Sequence, residues 1–160
     1  MNNYPETKAT RTWKNGSLTY SLVLGDEPFM HHYCGYARFP KRPVREVGYY
    51  GILSYVPVHG GITYARQDDE GMVYGFDCAH AGDEEKSWLK DEAWLMAECE
   101  RMAFAIQWAR WFELPYRMAW SNNLKAKVIG GYHALLRRRG IEFELTDNFG
   151  AMLNLLAGDL

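Results

Sequence analysis

The feature that most constrains how this chain can fold is a change of period at Ser87. Trp88, Leu95, Met102 and Ala109, with Cys99 and Ile106 between them, recur at heptad-like spacing, and nothing interrupts them before Pro115. That pattern predicts one long helix with a single apolar face. Before Ser87 the β-prone residues come in short runs. After the turn-like Asn15-Gly16, LTYSLVL (18–24) alternates and reads as a strand. FMHHYCGYARF (29–39) reads as a second strand, and PKRPVREVGYYG, with two prolines and two glycines, as a basic, aromatic loop. YVPVHGGITYA (55–65) and MVYGFDC (72–78) flank RQDDEG and predict a hairpin.

Beyond the long helix, Asn122 or Asn123 can cap a second one carrying Leu124, Val128, Tyr132, Leu135 and Leu136, with RRRG at its end and Gly140 as its stop. Gly130-Gly131 falls inside that helix at a cost of about 1 kcal/mol per glycine relative to alanine, which a tight helix crossing or a break would explain. IEFEL alternates as a short strand, and TDN can cap a last helix holding Phe149, Met152, Leu153 and Leu156. The expected fold is therefore α+β: a small antiparallel sheet in the N-terminal half, about residues 15–84, packed against a long helix, with additional C-terminal helices in a helical half, about 85–160. With 160 residues, 48% hydrophobic and 15% aromatic, the chain can bury one substantial core, so residues 1–160 are expected to form a single domain.

A net charge of only −2 gives no global field to recruit nucleic acid or anionic membrane. Its distribution is uneven: residues 66–100 hold eleven acids against three bases, and residues 101–140 eight bases against one acid. Such segments pair across a fold or form a charged docking surface. No apolar run approaches the roughly 18 residues a membrane span needs. Three cysteines, Cys34, Cys78 and Cys99, cannot all pair within the chain, and no charged segment followed by an apolar one opens the sequence. These features predict a cytoplasmic protein with reduced thiols. Neither a Walker loop nor GxGxxG is present, which disfavours the nucleotide-binding folds that use them.

The chemistry-bearing residues concentrate in HGGITYARQDDEGMVYGFDCAHAGDE, where His59, Asp77, Cys78, His80 and Asp83 fall within about a hairpin's length. Pairing Ala65 with Met72 would put His59 opposite Cys78, and slipping by one would put it opposite Asp77. Asp77-x-x-His80-x-x-Asp83 can fold back as a turn, which Gly82 would permit. Imidazole, thiolate and carboxylate suit zinc or another divalent ion, although the spacing matches neither CxxC nor HExxH. With an open coordination position, the ion would supply hydroxide, and Asp77 or Asp83, if left outside the shell, would be the catalytic base. Two metal-free readings stay open. In one, His59 and Asp77 pair, Cys78 packs in the core and Asp83 caps the coming helix; in the other, Cys78 is a nucleophile with His59 or His80 as its base.

Further candidates lie outside the hairpin. His31 and His32 point to opposite faces of a strand, so His32 shares a face with Cys34, as further ligands or as an edge of mixed polarity. Trp108, Trp111, Tyr116 and Trp120, interleaved with Arg110 and Arg117, suit either a stacking surface for a partner or core and oligomer packing. Arg137, Arg138 and Arg139 can grip phosphates or stabilise a helix terminus.

Cys34-Gly35-Tyr36, then HGGITY (59–64), then GFDCAHAGD (75–83) and a helix, in that order, resemble a group of small, largely uncharacterised proteins encoded by bacteriophages and prophages. The likeness covers roughly residues 29–107 and rests on motifs specific to the group. It implies a phage-encoded accessory protein in the host cytoplasm that counters host immunity by binding a defence component, a nuclease effector or a signalling nucleotide. A small metal-dependent hydrolase using the same His/Asp/Cys cluster and a structural or homo-oligomerising module are the alternative expectations.

Overall fold

The structure is a computed structural model that describes residues 9–25 and 32–143. Five antiparallel strands, β1 (Arg11–Asn15), β2 (Leu18–Leu24), β3 (Tyr33–Phe39), β4 (Tyr64–Asp68) and β5 (Gly71–Asp77), form one sheet in the order β1-β2-β3-β5-β4. Among the described residues two α-helices follow, α1 (Glu92–Met118) and α2 (Asn122–Arg138). The architecture is the expected α+β arrangement, a sheet in the N-terminal half packed against C-terminal helices, one of them long.

The sheet core follows from alternation. Leu18, Tyr20 and Leu22 of β2, Ala37 and Phe39 of β3, and Met72, Tyr74 and Phe76 of β5 are buried in one cluster with Leu95, Cys99, Met102 and Ile106 of α1. The glycines of the sequence motifs are where close packing requires them. A Cβ on Gly35 would lie 2.5 Å from the Phe76 ring and 2.6 Å from Cys99 Sγ, and one on Gly75 would lie 2.5 Å from the Tyr36 ring. Each of the two motifs thus seats an aromatic ring of the other.

Several expectations are corrected. The segment before Asn15-Gly16, to which the sequence pattern assigns no element, supplies strand β1, in which Trp13 stacks on Tyr20 at 5.2 Å and donates to Glu100 of α1. The hairpin register lies two positions from the one expected: Met72 faces Gln67, not Ala65. Its first strand begins only at Tyr64, because Gly51–Tyr55 forms a 3-10 turn and Gly60 and Gly61 both adopt positive φ, so His59 sits in a turn rather than on a strand. Ser87–Lys90 is a separate 3-10 turn, and α1 starts at Glu92, capped by Asp91, which accepts from Ala93 N at 3.0 Å. The helix also runs one turn past Pro115.

For α2 the cap is Ser121, one residue before the expected asparagines; its hydroxyl accepts from Leu124 N. The stop is Gly140, at φ 90°, where Ile141 N donates to Leu136 O and Gly140 N to Arg137 O in a Schellman closure. The helix is unbroken at Gly130-Gly131, and neither glycine is crowded: nothing lies within 4 Å of a Cβ on Gly130, and the nearest neighbour of one on Gly131 is Phe112 at 3.6 Å. Neither a break nor a steric need for close helix approach explains the pair. Ile141–Phe143 is not strand. The remainder of the IEFEL segment, the expected last helix and His31 lie outside the described residues.

Two buried glutamates on the inner side of α1 anchor the irregular connections. Glu113 accepts from the backbone N–H groups of Arg45 and Glu46, both at 2.8 Å, and Glu98 accepts from His59 N at 2.9 Å. Charge-assisted bonds of this kind are roughly twice as strong as neutral ones, which suits them to holding loops that have no ladder of their own.

Candidate metal centre

β5 ends at Asp77, and the chain then doubles back: Asp83 N donates to His80 O at 3.0 Å, with Gly82 at φ 85° completing the turn. The fold-back proposed for the Asp77-x-x-His80-x-x-Asp83 spacing is the conformation observed, and it buries the Asp83 carboxylate at 3% exposure. From the other side, the 56–63 connection delivers His59, whose position is fixed by its backbone bond to Glu98. Gly60 makes the meeting sterically feasible, since a Cβ there would overlap the His80 ring at 2.0 Å.

One carboxylate oxygen, Asp83 Oδ2, is the convergence point. It lies 2.8 Å from His59 Nε2 and 3.2 Å from His80 Nδ1, and accepts from His80 N at 2.9 Å. The other oxygen accepts from Lys86 Nζ at 3.2 Å. Burial by itself would raise the Asp83 pKa, but the hydrogen bonds from His59 and His80 N, with Lys86 adding to them, bring it down to about 2. The carboxylate is therefore ionised throughout the physiological range. The His59 ring meets the His80 ring edge-on at 5.4 Å and Trp94 at 6.4 Å, so one side of the cluster is walled by an aromatic of α1.

His59, His80 and Asp83 form a group that can hold a metal ion: one ligand atom from each lies within 4.8 Å of the others. Ligands at the usual zinc distances of about 2.0–2.1 Å stand roughly 3.3 Å apart in a tetrahedron. The observed separations of 2.8 and 3.2 Å therefore need only a small expansion for an ion to replace the bridging protons. Lys86 on the far carboxylate oxygen and Glu98 on the His59 backbone would orient the ligands from outside the coordination sphere.

The other predicted ligands separate from this point. Asp77 is at the margin, with Oδ1 3.6 Å from His80 Nδ1 while accepting from Ala79 N at 3.0 Å. Cys78 is buried with the core cluster, and burial first, then the negative charge of Asp83, pushes its thiol up to about 12, which leaves it protonated. Cys34 faces the opposite side of the sheet beside Val23 and Tyr36, its thiol likewise raised by burial. A cleft of about 580 Å³ adjoins the cluster, lined by His32, Tyr33, Cys78, Asp83, Glu84 and Lys90 among others. The residues singled out for partner binding lie far along the fold. Arg110 stacks on Trp111 at 4.7 Å, Arg137 on Phe143 at 4.3 Å and Arg139 on Trp108 at 4.8 Å, while Arg117 and Arg138 are exposed.

Lys86, Trp94 and Glu98 belong to the centre and were not singled out from sequence. Glu98 did carry a signal: it falls three residues after Leu95 and four before Met102, inside the apolar stripe, where a carboxylate must find a buried donor. Comparison with known proteins found no matching family profile, curated protein or solved structure. Among the described residues, no helix is long and apolar enough to cross a membrane.

Proposed function

We propose that the chain is a divalent-metal-binding accessory protein that acts by engaging a partner, with His59, His80 and Asp83 as its ligands and zinc as the ion. The observation that carries the metal is the placement of both imidazole nitrogens within 3.2 Å of one buried, ionised carboxylate oxygen. Two imidazoles and one carboxylate are a borderline-to-hard donor set that suits zinc, and they leave a fourth position for water or for Asp77. Bound there, the ion would staple the 56–63 connection to the turn after β5, joining segments that no strand pairing holds.

Elemental analysis of purified protein after zinc loading and dialysis tests this. One zinc per chain is expected, falling to none in His80→Ala, and the melting temperature should rise with zinc in the parent chain only. Zinc retained in both His80→Ala and Asp83→Asn would refute the site.

The order and interlocking of the Cys-Gly-Tyr, HGGITY and GFDCAHAGD stretches support membership of the phage accessory group that the chain resembles. On that reading its partner is a host defence component, a nuclease effector or a signalling nucleotide. Restored plaque formation by a defence-sensitive phage when the chain is expressed in the host would support this; unchanged plating across several defence systems would count against it.

The cleft that shares Asp83 favours a second reading, a small metal-dependent hydrolase. With Asp83 committed to the ion, Asp77 is the carboxylate left to serve as general base. Zinc-dependent hydrolysis of phosphodiester or ester probes, abolished in Asp77→Asn with zinc content unchanged, would distinguish it from the binding role.

A further inference from the structure

The C-terminal half of α1 and the facing side of α2 enclose a groove of about 470 Å³ that the metal centre does not use. Its walls are two stripes at helical spacing: Trp111, Pro115 and Met118 from α1, and Leu124, Val128 and Gly131 from α2. Among the described residues, Lys127 is the one charged side chain that lines it. Around it the molecule leaves large apolar side chains in water, with Trp111 61% exposed, Leu114 62%, Met118 71% and Trp120 87%. Large apolar side chains left in water beside a concave apolar floor are a feature of interaction sites rather than of ordinary surface.

We infer that this groove docks an acidic, amphipathic helical segment of a partner protein. The reading rests on the partner-binding part of the function proposed above and not on its metal. Charge selects the occupant. Residues 101–140 carry eight bases and one acid. That acid, Glu113, is buried and spends both carboxylate oxygens on the backbone of Arg45 and Glu46. Lys127 in the lining, Arg110 stacked on the lining Trp111 and the exposed Arg117 beside Met118 therefore flank the groove, and no other acid of residues 101–140 is there to neutralise them. Such a rim steers acidic partners and repels basic ones.

Shape selects it further. Two parallel rows of apolar residues four and seven apart receive the corresponding rows of an amphipathic helix. A second copy docking symmetrically would set this basic face against itself. The flanking cations would attract a nucleic acid too, but its polar backbone would leave the apolar floor unfilled, which an amphipathic helix covers.

Gly131 supports the assignment independently. Its backbone is helical, its Cβ would meet nothing closer than Phe112 at 3.6 Å, and alanine would be the better helix former. Packing does not demand a glycine at this position, but a methyl group there would enter the groove that Gly131 and Phe112 both line.

A display library of random peptides of about 16 residues, selected on the immobilised full chain and followed by polarisation titrations of the enriched sequences, tests the proposal. Enrichment of acidic sequences with apolar residues spaced three and four apart is expected. Their affinity should fall at least tenfold or so in Trp111→Ala and Met118→Ala, and weaken as salt is raised. Both side chains are largely exposed, so these variants should keep the parent melting temperature. Gly131→Ala should melt higher yet bind more weakly, a pairing that a purely structural glycine would not give. His80→Ala should lose zinc and keep peptide affinity, which separates failure of this proposal from failure of the metal site. Three results would overturn it: no enrichment of such sequences, enriched peptides that bind Trp111→Ala equally well, or sedimentation of the chain as a dimer that Trp111→Ala dissociates.

Discussion

At the N-terminal end of α1 charged side chains turn inward, whereas at its C-terminal end apolar side chains turn outward. Near the first end Asp83 and Glu98 are buried at 3% and 5% exposure, yet each is satisfied, Asp83 by His59, His80 and Lys86 and Glu98 by His59 N and Arg101. Near the second, Trp111, Met118 and Trp120 stand in water with cations laid over neighbouring rings. The ends are separated by about 40 Å of helix. Both invert the usual partition between inside and outside, but with different energetics. Burying a carboxylate is tolerable only when every lone pair is answered, so the first end is a precise constellation that any lost partner disrupts. Exposing a tryptophan forgoes hydrophobic stabilisation without creating an unsatisfied group, so the exposed side chains of the second end can be altered freely, while its buried Glu113 cannot.

The contrast is broken most severely by Asp83→Ala. It leaves the donors of His59, His80 and Lys86 pointing at a cavity, and should cost about 3 kcal/mol in urea unfolding of the metal-free chain. Glu113→Gln keeps one acceptor oxygen for two backbone donors and should cost about 1–2 kcal/mol by the same measurement. If the C-terminal end is as tolerant as argued, Gly131→Ala should stabilise the chain by up to about 1 kcal/mol. Arg139→Ala, which removes only a cation lying on Trp108, should cost about 0.5 kcal/mol or less.

A pH titration sharpens the comparison. His133 is 2% exposed and its Nε2 donates to Tyr55 O at 2.8 Å, so it connects α2 to the irregular segment between β3 and β4. Burial lowers its pKa below the ordinary 6.5, against a smaller opposing contribution from that hydrogen bond. A histidine with a depressed folded-state pKa takes up its proton more readily when unfolded. Its contribution is thus fully present above about pH 6.5 and declines as pH falls from there toward the folded value. The melting temperature should drop across that interval, and His133→Gln, which can still donate to Tyr55 O, should lose that part of the slope.

The sequence made legible what depends on local pattern. β2 occupies the residues where LTYSLVL alternates, and Gly140 stops α2 because no other residue closes a Schellman motif so cheaply. The turn after β5 was readable because Gly82 licenses it. Strand β1 was not, since RTWKN is polar and is held by its ladder with β2, the Trp13 stack on Tyr20 and bonds from Arg11, Trp13 and Asn15 to glutamates of α1, none of which a local pattern reveals. The register was missed by two residues because the strands run on to Asp68 and Gly71, so the turn is Asp69-Glu70 alone and not the whole RQDDEG linker. At the site, His59, His80 and Asp83 converge and Cys78 does not. Alternation along β5 continues one residue past Asp77 and delivers the thiol to the core, a consequence of pleat parity that composition does not reveal. The buried glutamates Glu98 and Glu113 act through contacts distant in sequence and left a trace only as acids along the apolar side of α1, whereas Lys86 reaches Asp83 from three residues away, a local pairing passed over in reading the ligand set.

The most direct test of the metal centre is anomalous diffraction at the zinc edge from crystals of the zinc-loaded chain. A single strong peak bonded to His59 Nε2, His80 Nδ1 and Asp83 Oδ2, with Lys86 still on Asp83 Oδ1, is the predicted result. No peak at that position, with His59 and His80 still hydrogen-bonded directly to Asp83, would contradict it.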